Sequence, residues 1–127
     1  MHTGRCDCGK VAFEFDEMRP TVTACHCSQC RRASGHYWAS THVPHSAFQY
    51  TNDEGLTWYK SSDWAKRGFC KFCGCSLFWQ MKDEAHISVA AGCVDDPTGL
   101  TLTTHIFVKD KSDDYDIADD AEQIMKY

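Results

Sequence analysis

Three thiols and an imidazole fall within six residues, Cys25-His26-Cys27-Ser28-Gln29-Cys30, directly before the basic pair Arg31-Arg32. Cysteines at CxCxxC spacing can wrap one face of a zinc ion. Tetrahedral zinc with three protein ligands keeps its fourth position for water or substrate, the arrangement of a working metal and not only of a structural brace. Two further pairs flank this triplet in the chain: Cys6-Asp7-Cys8-Gly9 near the start, and Cys70-Lys71-Phe72-Cys73-Gly74, a CxxC followed by glycine in the manner of a zinc knuckle.

Nine cysteines in 127 residues call for either disulfides or metal. The count is odd, and the opening stretch from Met1 to Cys6 holds no apolar run of the export type. Both observations favour metal in a reducing compartment, and CxC and CxxC spacing is what metal coordination requires. Seven of the nine form the three groups, and the natural partition is four plus three. The two outer pairs then close one Cys₄ site and the central triplet keeps an open position. Spacing alone leaves a second pairing open, in which Cys6 and Cys8 complete a four-sulfur site with two of the triplet. Cys93, in Ala90-Ala91-Gly92-Cys93-Val94, reads as a small buried hydrophobe. Cys75 lies close enough to Cys73 to reach a metal or to form a disulfide under oxidation, and is read as a non-ligand. His26, held between two candidate ligands, should point away from the ion they share, toward solvent or a supporting group. His2, His36, His42, His45, His86 and His105 show no ligand pairing and read as surface or strand histidines.

The elements that must position these groups are nearly all strands. Val11, Phe13 and Phe15 alternate with Ala12 and Glu14, the period of a half-buried strand. Thr21 to Ala24 forms a second strand running into the triplet, and Arg31 to Gly35 suits one helical turn or a loop. His36 to Val43 resumes strand composition until Pro44, and Phe48 to Lys60 reads as a hairpin about an Asn52-Asp53-Glu54-Gly55 turn. Ser76 to Met81, His86 to Ala91 and Thr101 to Val108 are three more strands. Only Asp119 to Met125 reads as helical, with acids at its start, where a helix dipole favours them.

Composition bounds the partners. At 43% hydrophobic residues the chain can bury a core as one domain, 1–127. Thirteen Lys and Arg against 18 Asp and Glu leave no basic field for a phosphate backbone, so no nucleic acid is expected. No apolar segment is long enough to span a bilayer, so no membrane is expected either, and the predicted location is cytoplasmic.

The order CxCG, then CHCxxCR with Ser34-Gly35, then Phe69-Cys70-Lys71-Phe72-Cys73-Gly74, resembles the glutathione-dependent formaldehyde-activating enzyme (GFA) family, also called the CENP-V/GFA domain. Ala91-Gly92-Cys93-Val94-Asp95-Asp96-Pro97, His105-Ile106-Phe107 and Tyr115 to Asp119 extend the likeness over nearly the whole chain. The resemblance implies a mainly β, Mss4-like fold of zinc-braced sheets with two zincs per chain. By analogy Cys6, Cys8, Cys70 and Cys73 hold a structural zinc, and Cys25, Cys27 and Cys30 a catalytic one. The family pattern often has Thr where this chain has Cys75.

The implied activity is that of a carbon–sulfur lyase or synthase, joining the thiol of glutathione to formaldehyde to give S-hydroxymethylglutathione. Zinc can stabilise a thiolate, whose free pKa of about 8.5 leaves little nucleophile at neutral pH, or polarise the aldehyde oxygen. An ion already bound by three thiolates is a poor Lewis acid, which favours thiolate handling. Glutathione is anionic, and Arg31, Arg32, Lys66 and Arg67, which flank the cysteine groups, are the candidates to hold it, although most Lys and Arg side chains are simply solvated. Trp38, Phe69 and Trp79 are candidates to line a pocket, although strand aromatics more commonly pack in the core. The alternative is a non-catalytic zinc-stabilised binding or scaffold module, as the CENP-V side of the family allows, but the chain carries no basic tail to engage such partners.

Overall fold

The computed structural model describes all residues from Met1 to Tyr127, and the architecture is mainly β, as the sequence predicts. A three-stranded antiparallel sheet joins β1 (His2–Arg5), β2 (Ala12–Phe15) and β5 (Phe48–Asn52) in the order β1-β2-β5. The second sheet contains β3 (Thr21–Cys25), β4 (Trp38–Pro44), β6 (Leu56–Lys60), β7 (Ala65–Cys70), β8 (Ser76–Met81), β9 (His86–Ala90), β10 (Thr101–Ile106) and β11 (Glu122–Gln123). Their order is β11-β10-β3-β4-β9-β8-β7-β6. Neighbours are antiparallel except that β10 runs parallel to both β3 and β11. The one α-helix, α1 (Ser28–Ser34), leaves the end of β3. No helix is long and apolar enough to cross a membrane.

The core forms where the two sheets meet. Alternation along β2 sends Phe13 and Phe15 inward and leaves Ala12 and Glu14 half-buried. Phe13 meets Phe78 of β8 edge-on at 5.3 Å and stacks with Phe48 of β5 at 5.4 Å, so one aromatic cluster fastens the small sheet to the large one. Burying each such ring contributes about 1.5–3 kcal/mol. Four consecutive residues of β9, Ile87 to Ala90, are buried because this central strand is covered on both faces.

Two expectations are corrected. Phe48 to Lys60 is not a hairpin: β5 pairs with β2, whereas β6 pairs with β7, so residues 52–55 carry the chain from one sheet to the other. The turn is taken up by partners outside it, since Gly55 N–H donates to Lys10 O at 2.9 Å and Lys71 N–H to Gly55 O at 2.9 Å. Nor does Asp119 to Met125 form a helix. Its backbone is spent on β10 and the turn that follows: Ile124 N–H donates to His105 O at 2.8 Å, and Val108 N–H to Ile124 O at 3.1 Å. Seven residues are too few for a stable helix without packing, and the exposed Met125 supplies none.

His42 of β4 and His86 of β9 stack with ring centroids 4.4 Å apart. Burial, then the nearby positive charges of Arg19 and His86, hold the His42 pKa down from 6.5 to about 4. The unfolded chain therefore takes up a proton near pH 6.5 that the folded chain refuses until about pH 4, and stability falls as the pH drops through that window. In urea titrations at pH 7 and pH 5, His42→Gln is expected to lose part of the acid-dependent drop in midpoint. An unchanged drop would show that His42 does not contribute.

Candidate metal centres

The first cluster is made at two chain turns. Cys6 follows β1 in a turn closed by Cys6 N–H to Val11 O at 2.9 Å, and Val11 N–H donates back to Cys6 Sγ at 3.3 Å. Cys70 ends β7, and Gly74 N–H to Cys70 O at 2.7 Å closes the turn that carries Cys73. The four sulfurs of Cys6, Cys8, Cys70 and Cys73 lie within 4.8 Å of one another, with Cys6 to Cys8 at 3.7 Å and Cys8 to Cys70 at 3.6 Å. A tetrahedron with Zn–S bonds of about 2.3 Å has edges of about 3.8 Å, so the donor set fits such an ion. Gly55 is packed against it: a Cβ there would stand 2.8 Å from Cys70 Sγ, which leaves room for glycine alone.

The second cluster is local in sequence. Cys25 ends β3, Cys27 caps α1 and Cys30 lies in the first turn of the helix. Cys27 Sγ accepts from Cys30 N–H at 3.3 Å, and Gly35, in the left-handed conformation at φ 85°, ends the helix. The three sulfurs lie within 4.8 Å of one another, and no fourth side-chain ligand joins them. Hydrogen bonds from the Cys25 and Cys30 thiols, helped by the N–H groups of Cys30 and Gln29, hold the Cys27 pKa well below the usual thiol range. The same bonds push Cys25 up, because its proton is what stabilises Cys27. A divalent cation binding here would displace such shared protons.

The four candidate basic residues part company. Arg67 on β7 is buried, and its Nη2 donates to Cys30 Sγ at 3.3 Å and to Gln29 Oε1 at 3.2 Å. Its Nε and Nη1 are buried without a partner, as are Arg31 Nε and Trp38 Nε1. Unpaired buried donors are costly, and they stand ready for an acceptor. Arg32 is exposed on α1. Lys66, adjacent to Arg67 on a strand and therefore on its opposite face, lies 4.2 Å over the Trp58 ring and away from the thiols. Of the aromatics, Trp38 and Trp79 pack with Cys30, while Phe69 is half-buried on β7. Two clefts, about 330 Å³ beside His42 and His86 and about 430 Å³ beside Tyr50 and Trp58, are not lined by any cysteine.

His26 does turn away from the sulfurs, but into the protein and not toward solvent. It is fully buried, and its Nδ1 meets Tyr115 Oη. Its Nε2 lies 2.8 Å from His105 Nδ1, and His105 Nε2 lies 3.0 and 3.1 Å from the two Asp119 oxygens. An ionised carboxylate only accepts, which sets the direction of the whole chain. His105 donates to Asp119, His26 donates to His105, and Tyr115 donates to His26. His105 is a strand histidine, as the sequence allows, but a buried one that links this chain, and its place was legible only as part of the C-terminal likeness. Burial, then the neighbouring His105, lowers the His26 pKa to about 4.

This chain ties the residue between two candidate ligands to the C-terminal segment. His105→Ala leaves the His26 Nε2–H without a buried acceptor and is expected to cost about 1–3 kcal/mol. Urea unfolding should register that loss. Unaltered stability would show that the link is not used.

The family model for the glutathione-dependent formaldehyde-activating enzyme matches residues 1–110. A protein of Schizosaccharomyces pombe, named an uncharacterized lyase, is 28% identical over 124 residues, covering 92% of this chain and 85% of its own length. The crystal structure of a Rhodobacter sphaeroides protein superposes with a TM-score of 0.65 at 25% identity, covering 80% of this chain and 99% of that one. The first of these matches spans most of the chain, and the chain belongs to the glutathione-dependent formaldehyde-activating enzyme family.

Proposed function

We propose that the protein is a GFA-type carbon–sulfur lyase that forms and breaks a thiol–aldehyde adduct, with glutathione and formaldehyde giving S-hydroxymethylglutathione. In the forward direction the thiol sulfur bonds to the aldehyde carbon, the C=O π pair moves to oxygen, and the proton lost from sulfur ends on that oxygen. The proposal includes two zincs, a structural one at Cys6, Cys8, Cys70 and Cys73 and a catalytic one at Cys25, Cys27 and Cys30. The observation that carries it is a trio of thiols beside a buried guanidinium with two nitrogens, Nε and Nη1, that have no partner in the protein.

Zinc at a three-thiolate site supplies stabilisation of one more thiolate, since three anionic ligands leave little Lewis acidity for a carbonyl. The chain's own residues supply the rest. Arg67 donates to Cys30 Sγ and offers Nε and Nη1 to a carboxylate of the thiol substrate. Arg31, on the helix that carries Cys30, adds a second cation. Trp38 packs over Cys30 and keeps water from that side of the sulfur. Arg32 contributes only to the surrounding field, and Lys66 faces away. The support from relatives is of the same kind: the family's description names glutathione and formaldehyde, and the yeast relative is named a lyase.

Exchange NMR of formaldehyde with glutathione tests the reading. The native protein is expected to accelerate exchange, Cys27→Ser to abolish the acceleration while remaining folded, and Arg67→Met to weaken glutathione. Loss of charge-assisted hydrogen bonds worth about 1.5–3 kcal/mol corresponds to a KM raised roughly 10- to 100-fold. Absence of acceleration with glutathione and with other small thiols would instead favour the binding-module reading.

A further inference from the structure

Two cysteines lie outside both clusters. Cys75 stands immediately before β8, and Cys93 ends the short 3₁₀ turn Ala91–Cys93 that follows β9. Because β8 and β9 pair antiparallel, with Phe78 opposite Val89 and Trp79 opposite Ser88, the residue before the one and the turn after the other arrive at the same end of the sheet. Their sulfurs are 3.5 Å apart. A disulfide bond is about 2.05 Å long, so closure asks each side chain to move by less than an ångström.

The backbones on both sides are held. Cys75 O accepts from Cys70 N–H at 3.0 Å, Val94 N–H donates to Ala91 O at 3.3 Å, and Gly4 bridges to Val94 beyond the turn. Each thiol is half-buried, packed on the core yet open in part to solvent. The other seven cysteines form the two groups whose geometry suits a metal, and coordination would occupy their sulfurs. This pair lies beside those groups but belongs to neither, and its two sulfurs are in reach of each other.

We propose that Cys75 and Cys93 form a redox-active dithiol that a hydroperoxide closes to a disulfide within the native fold. One sulfur attacks the distal peroxide oxygen, cleaving the O–O bond to leave a sulfenic acid and release an alcohol, or water when the oxidant is hydrogen peroxide. The second sulfur then attacks the sulfenic sulfur and expels water. Two thiols lose two hydrogens and two electrons, the peroxide gains them, and a dithiol reductant reverses the bond. The site depends on neither the proposed lyase reaction nor its substrate.

The experiment treats the native, metal-loaded protein with one equivalent of hydrogen peroxide, blocks free thiols, and maps disulfides while metal release is followed with a colorimetric chelator. The expected result is a Cys75–Cys93 bridge formed before metal is released and reopened by dithiothreitol. Cys75→Ser and Cys93→Ser should each lose the bridge while keeping the metal content of the parent, which also shows that they fold. Oxidation of the clustered cysteines with metal release while Cys75 and Cys93 remain alkylated would overturn the proposal. So would a bridge that joins either of them to a different cysteine.

Discussion

Bringing four thiols to one point from turns 62 residues apart is the constraint on which the rest of the structure depends. Close-packed sulfur ligands are unfavourable as free anions, and closing so long a loop costs chain entropy. The fold meets both demands with rigid turns. Backbone hydrogen bonds fix Cys6 against Val11 and Cys70 against Gly74 and Cys75, and Gly55 lets the neighbouring turn press onto Cys70. Beneath them, the rings of Phe13, Phe48 and Phe78 hold the two sheets together. A donor set of this kind couples metal affinity directly to folding, because the unfolded chain cannot present it.

The triplet solves a different problem. Its three sulfurs are close in sequence, so a strand end and one helical turn suffice to gather them, and no long loop has to close. What it needs from the rest of the chain is electrostatic. Arg67 arrives from β7 to face Cys30, and its remaining donors are buried without use in the protein itself. On the other side, His26 is withdrawn into a hydrogen-bonded chain through His105 to Asp119, which anchors the segment between Cys25 and Cys27 to the C-terminal strand. The same strand pairing that replaces the expected helix at 119–125 delivers Asp119 to this position.

Much of the site was legible because ligand spacing is a local property. CxC, CxxC and CxCxxC declare themselves in short windows, and strands such as Ser76–Met81 follow from composition and period. Failures occurred where long-range pairing decides. Nothing local distinguishes a hairpin at 48–60 from a crossing between sheets, and nothing local says that residues 119–125 will spend their hydrogen bonds on β10. Lys66 and Arg67 are equivalent in sequence, yet strand alternation buries one beside Cys30 and lays the other over Trp58.

By itself, then, the sequence determined the number and kind of sulfur groups, the β-rich class and the family, because each rests on residue type and spacing along the chain. The tertiary structure alone decided which arginine reaches the thiols, that His26 and His105 form one buried chain, and that Cys75 meets Cys93. Those contacts join residues far apart in the chain, and only the register of paired strands, set by burying one face of each, brings them within bonding distance.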